Sequence, residues 1–240
     1  MVDPRTGRAV AGAAAALEAV EPAPSAGSGL GFRGALTGEI QEEQLEIATA
    51  PHTDLRSLET DLRWWRGQAG AAALGAGAVV AALGTSPLAV HPTLAAAPRY
   101  RRIGARFGLT AREDLVSGCH VHVGVASADE GVAALDRIRV WLPTVLALSA
   151  NSPYWQGEDS GYASFRSQVW IRWPSAGPTD VFGSPSAYRR TVDRMLATGV
   201  VLDERMVYLD ARLSCRYPTV EVRAADVCLR VEDAVLVAAV

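Results

Sequence analysis

The sequence contains no lysine, so its 23 basic residues are all arginine. That absence excludes a Walker-type phosphate loop, a Schiff-base lysine and a pyridoxal-phosphate enzyme, because each depends on a lysine amine. A bound phosphate or carboxylate must instead be held by arginine forks, backbone amides or a metal. Cysteine is scarce too. Cys119, Cys215 and Cys228 are too few and too scattered for a disulfide framework or a paired-cysteine metal site. Buried reduced thiols in a cytoplasmic protein are the simpler expectation. With a net charge of -3 there is no basic excess to draw nucleic acid or an anionic membrane. The one long run of small residues, 69–84, is mostly alanine and glycine. It falls short of the about 20 strongly apolar residues of a spanning helix, so it is expected to be a core segment. The opening residues, with Asp3 and Arg5, do not have the pattern of a secretory signal.

What is there is an ordinary globular composition, 49% hydrophobic and 20% charged, over 240 residues. That is long enough for a real core. Its most informative stretch is Ser-Gly-Cys-His-Val-His-Val-Gly-Val at 117–125. The residues alternate with strand period, so Cys119, Val121, Val123 and Val125 form an apolar face. Gly118, His120, His122 and Gly124 form the other. Two imidazoles then stand side by side, about 6.6–6.8 Å apart, with glycines leaving room beside them. Such a face suits a divalent metal or a phosphate.

In chain order, residues 3–7 form a turn, 11–20 a weak alanine-rich helix and 21–31 a loop rich in Pro, Gly and Ser. Residues 44–51 alternate as a short strand with Glu46 on its polar side, and Glu39 stands seven residues earlier. Thr53 is placed to cap a long helix carrying Leu55, Leu58, Leu62, Trp65 and Ala69. Trp64, Trp65 and their arginines read as its packed and solvated faces rather than a cofactor box. A buried strand is expected at 79–83 and a basic helix at 98–107, ended by Gly108. Ser127 and Glu130 make a capping box for a helix that Pro143 kinks or splits. Residues 151–164, polar and glycine-containing, read as a loop placed to act as a lid. Helices are expected at 187–198 and from 231, and strands at 206–213 and 219–223, joined near 216–218. In the last strand Val220 and Val222 face one way, Glu221 and Arg223 the other.

Three strands thus share one design, with ionisable residues in front and apolar residues behind. If they neighbour one another in one antiparallel sheet, Glu46, His120, His122, Glu221 and Arg223 line a cup. Carboxylates with a histidine suit Mg²⁺ or Mn²⁺, and an arginine opposite would clamp phosphate or carboxylate. ATP-dependent activation of a carboxylate needs that combination, since phosphoryl transfer is mainly positioning and charge neutralisation.

The stretches GCHVHVGV, LEIATAP, LSANSPYWQGEDSGYASFRSQVW and YPTVEVRAADVC resemble the bacterial carboxylate–amine ligases of the glutamate–cysteine ligase type. The resemblance covers nearly the whole chain. It implies an α+β fold, in which a curved, mainly antiparallel sheet forms a glutamine-synthetase-like catalytic cup with helices on its back. Residues 1–240 would be a single catalytic domain. It further implies Mg²⁺-ATP, an acyl-phosphate intermediate, and glutamate-like and cysteine-like substrates. The products would be γ-glutamylcysteine, ADP and phosphate, a step of glutathione-type thiol synthesis, with weak activity in this subgroup.

The resemblance assigns Glu39, Glu46 and Glu221 to metal, and His120 to the nucleotide and metal. Arg166 and Arg223 fall to phosphate or substrate carboxylate, and His122 to the nucleotide side. Family members also carry an acidic strand of the form GVEEEF before the opening turn and continue past Val240. The sequence is therefore expected to be a fragment, with weak Mg²⁺-ATP binding and little turnover of its own. Two alternatives remain: a non-catalytic nucleotide- and metal-binding remnant, and a metal-dependent amidohydrolase. The second is the weaker, since only His52 and His91 accompany the pair and there is no lysine to carboxylate. A homo-oligomer is left open.

Overall fold

Asp3 folds the first residues back on themselves, its carboxylate accepting from the backbone of Arg5 at 2.7 Å and of Thr6 at 3.0 Å. Val2 then bridges to Ala9 and Val79. The computed structural model describes residues 1–18 and 34–240. The loop expected at 21–31, and the end of the helix expected over 11–20, lie outside the described residues. Within them that helix is α1 (Ala13–Glu18).

A hairpin follows, β1 (Ala35–Gly38) and β2 (Leu45–Ala48), antiparallel with Thr37 opposite Glu46. The long helix α2 (Leu55–Gly75) is capped by Asp54 rather than Thr53, its carboxylate accepting from Ser57 N–H at 2.9 Å. Trp65 is buried and Trp64 exposed, as the spacing requires. α2 packs against α1 and the hairpin. The strand expected at 79–83 does not form, and only Val79 makes a bridge. The alanine run continues α2 to Gly75 instead, and Val80 is exposed. α3 (Pro98–Phe107) ends at Gly108, whose φ of +56 lets the chain turn straight into α4 (Leu109–Glu113).

The histidine strand is β3 (Val121–Gly124). α5 (Ala128–Ile138) starts at Ser127, whose hydroxyl accepts from Glu130 N–H at 3.1 Å, while Glu130 accepts from Ala126 N–H. Pro143 falls in the first turn of α6 (Leu142–Ser149), so the helix is split, not kinked. The loop at 151–164 holds a miniature hairpin, β4 (Tyr154–Trp155) and β5 (Glu158–Asp159). Next come α7 (Arg166–Trp170) and α8 (Pro185–Ala197). The strand expected at 206–213 shortens to β6 (Ala211–Leu213), because Glu204–Met206 forms a 3₁₀ turn held by Asp203. β7 (Thr219–Val222) and α9 (Val231–Ala239) complete the chain.

The described fold is α+β with small antiparallel sheets. β3, β7 and β6 form one three-stranded sheet, with β7 in the middle. β1 and β2 form another, so the three polar-faced strands do not lie in one sheet as expected. Behind β6 and β7, helices α5 and α8 bury Val132, Leu135, Val192 and Val220 in one apolar cluster. Behind β3, Val121 and Cys119 pack on Ala225, Cys228 and Val237, beside α9. Val123 departs from its expected buried face: it is 52% exposed on the edge strand, beyond the helix cover.

Candidate active site

Alternation along β3 and β7 does put the polar residues on one face. His122 is the partner of Glu221, and Arg212 of β6 also stands opposite Glu221. Glu221 is 3% exposed and is held by Arg212 Nε at 2.7 Å and by Arg223. His120 Nδ1 lies 3.7 Å from it. Burial pushes the Glu221 carboxyl up, but Arg223 and Arg212 outweigh it and hold it below the usual range. Burial, with the charges of Arg223, Arg166 and Arg212, lowers His120 well below 6.5. It is therefore a neutral imidazole at pH 7. His122, further out, bonds Thr219 Oγ1 at 2.9 Å through Nδ1 and meets the edge of Tyr217.

Arg166 arrives from α7 and is buried at 2% exposure. Its guanidinium donates to the carbonyls of Ala224 at 3.3 Å and Arg223 at 3.4 Å, and lies 3.7 Å from Asp226. It also explains one glycine of the central motif. A Cβ on Gly118 would stand 2.3 Å from Arg166 Nη2, so the space beside His120 holds an arginine. At Gly124 the space is open.

The hairpin contributes the second half of the site. Glu39 accepts from Ile40 N–H at 3.0 Å and Glu46 from Thr37 Oγ1 at 3.4 Å. The two carboxyls lie near enough to act on each other, and the field of Arg223 reaches both. Solvent reaches Glu46 from one side, while protein surrounds it on the others. Burial and the neighbouring Glu39 raise Glu46 to about 7; burial raises Glu39 as well. So Glu39 and Glu46 face the same region as Arg223, although they belong to another sheet.

The four expected metal ligands therefore separate into two groups: Glu39 with Glu46, and Glu221 with His120. Among the described residues no three His, Cys, Asp or Glu gather closely enough to hold a metal ion. The Glu39–Glu46 pair fits a divalent cation, since its oxygens are hard donors and a cation would relieve the repulsion between the two carboxyls. Glu221 fits less well, because its oxygens already face two guanidinium groups.

Several residues at the site were not foreseen. Arg212, Tyr208 and Asp210 alternate on one side of the segment expected as a strand, and that polar face was the signal for them. Asp114 is buried, accepts from Trp173 Nε1 at 2.9 Å, and is raised to about 7 by burial. Asp226 is fully buried and accepts from Ser152 Oγ at 2.6 Å, Ser164 Oγ at 2.9 Å and Asn151 N–H at 3.0 Å. The loop expected as a lid is thus fastened at both stems. Its tip is fastened too: the Gln156 amide bonds both N–H and C=O of Val90 at 3.0 Å. No helix among the described residues is long and apolar enough to cross a membrane.

Comparison with known proteins identifies the family. The family model described as Glutamate-cysteine ligase family 2 (GCS2) matches residues 2–240. “Putative glutamate–cysteine ligase 2-1” of Streptomyces avermitilis is 51% identical over 241 residues, covering 99% of this chain and 64% of the relative. “Putative glutamate–cysteine ligase 2” of Streptomyces coelicolor is 56% identical over 201 residues, covering 84% of this chain and 55% of the relative. A namesake 2-1 protein of Nocardia farcinica is 44% identical over 240 residues, covering 100% and 60%. The chain thus spans between about half and two thirds of the length of these curated relatives. With residues 2–240 matched by that family model, the chain belongs to glutamate–cysteine ligase family 2.

Proposed function

We propose that this chain carries the catalytic site of an ATP-dependent carboxylate–amine ligase acting on glutamate and cysteine, in a single domain over residues 1–240. One observation carries the reading: buried Arg166 and Arg223 share a site with the Glu39–Glu46 carboxylate pair, whose mutual repulsion a cation would relieve. On this reading the two small sheets make a cup of the glutamine-synthetase kind. Glu39 and Glu46 are the residues that hold Mg²⁺ or Mn²⁺, whose preference is for such hard oxygen donors. When bound, that cation neutralises charge on the phosphate oxygens. Neutral His120 would face the nucleotide and cation, and His122, further out, would lie on the nucleotide side.

Arg166 and Arg223 receive the transferred phosphoryl group and the carboxylate that accepts it. A carboxylate oxygen attacks the γ-phosphorus, ADP leaves, and an acyl phosphate forms. The amine nitrogen then bonds to the acyl carbon, phosphate departs, and the extra ammonium proton passes to solvent. Glu221 keeps the cationic side in register by pairing Arg212 and Arg223, and gives oxygen to metal only if one pair opens.

The test is ADP release with glutamate, cysteine and Mg²⁺-ATP, by the chain and by a form extended to the length of its relatives. Substrate-dependent release is expected from the extended form, with most of it lost in Glu46→Gln while circular dichroism stays unchanged. Mg²⁺-ATP binding with no turnover in either form would make the chain a binding remnant. Hydrolysis independent of ATP would overturn the ligase reading.

A further inference from the structure

Arg166 and Trp170 stand four residues apart on α7, so helical spacing places them on one side of the helix. The Arg166 guanidinium carbon lies 5.6 Å from the Trp170 ring centre. Arg223, from the end of β7, lies 5.5 Å from the same ring centre. The indole is fixed in turn by Tyr208, with ring centres 4.8 Å apart, and Tyr208 also lies under Arg223 at 5.6 Å. Asp226 lies beside the Arg166 guanidinium, and Arg223 shares Glu221 with Arg212. Arg166 Nε, Arg223 Nε and Trp170 Nε1 are buried and have no hydrogen-bond partner among the described residues.

Two like charges beside one ring repel, and the charge of Arg223 opposes that of Arg166. An aromatic face attracts both, because the ring quadrupole presents negative potential to a cation. Unpartnered buried donors beside them are costly unless an acceptor arrives. We propose that Trp170 is a positioning residue that holds Arg166 and Arg223 together as one receiver for an oxyanion, a phosphoryl group or a carboxylate. This rests on the ligase reading for its biological ligand, but not for its test.

The probe is inorganic pyrophosphate, titrated calorimetrically into the chain, because it needs only the arginine pair and no turnover. Trp170→Leu removes the aromatic face and should weaken pyrophosphate at least 10-fold. Trp170→Phe keeps the face and should stay within 3-fold of the parent. Pyrophosphate should also change the tryptophan emission of the parent but not of Trp170→Phe, a readout that decides the matter if Trp170→Leu does not fold. In the ligase assay Trp170→Leu should raise KM for Mg²⁺-ATP more than it lowers kcat. Equal affinity in Trp170→Leu and the parent, equal losses in both variants, an emission change that persists in Trp170→Phe, or no binding by the parent would each overturn the proposal. Pyrophosphate binding of the expected pattern without any ADP release would leave it standing and remove the ligase reading instead.

Discussion

Two acidic regions of this molecule are built on opposite principles. On the three-stranded sheet, Glu221 is almost fully buried and sits between two arginines, which hold it ionised. On the hairpin, Glu39 and Glu46 have each other as neighbours and only a distant share of Arg223, so both resist ionisation. The first region is saturated with positive charge and the second is short of it. The lesson is that acidic residues on strand faces are not equivalent: one set is tied into the scaffold by arginines, and the other is left short of positive charge.

The sharpest way to break this contrast is Glu221→Gln. It leaves Arg212 and Arg223 without their buried counter-charge, and removal of one partner from such a group costs about 3–5 kcal/mol. Urea unfolding followed by circular dichroism should show the loss. A cost under about 1 kcal/mol would place Glu221 with the hairpin acids after all.

Asp114 tests the same idea from a third position, since its buried carboxyl is raised to about 7 by burial despite the fields of Arg166 and Arg172. The folded state therefore keeps a proton that the unfolded chain releases, and stability falls as pH rises from the ordinary 3.8 through about 7. Asp114→Asn should flatten that fall, as read from unfolding midpoints across the range. An equally steep fall in the variant would assign the effect elsewhere.

Gly118→Ala probes the cationic side alone. The added methyl would meet Arg166 Nη2 at 2.3 Å and Cζ at 2.8 Å, so the guanidinium must shift. Overpacking of this kind costs about 1–3 kcal/mol. Pyrophosphate affinity should fall with it, and unchanged affinity would separate Arg166 from anion binding. The smallest stability effect belongs to Glu46→Gln, which removes no buried ion pair and should leave the unfolding midpoint unchanged or slightly higher. A large destabilisation there would make the hairpin acids structural.

Much of this was legible from local rules. The alternation at 117–125 and 219–223 put His120, His122, Glu221 and Arg223 on the faces they occupy. The capping box at Ser127 and the stop at Gly108 were also local, as each depends on residues within one turn. What failed was non-local. Whether Glu46 shares a sheet with His120 depends on hydrogen bonds between distant segments, and the strands fell into separate sheets. That Gly118 makes room for Arg166, 48 positions away, could not be read from spacing. Trp170 could not be singled out from the sequence, because only the fold brings Arg223 onto its ring.

The fastening of the 151–164 loop has a consequence for how such proteins can diverge. Ser152 and Ser164 meet in a bridge and donate to the two oxygens of one carboxylate, Asp226, and Ser164 stands two residues before Arg166. The stems are thereby closed on themselves, like the neck of a bag. Length and sequence changes between them need not propagate into α7, so this segment can be exchanged as a cassette while the arginine behind it stays where it is.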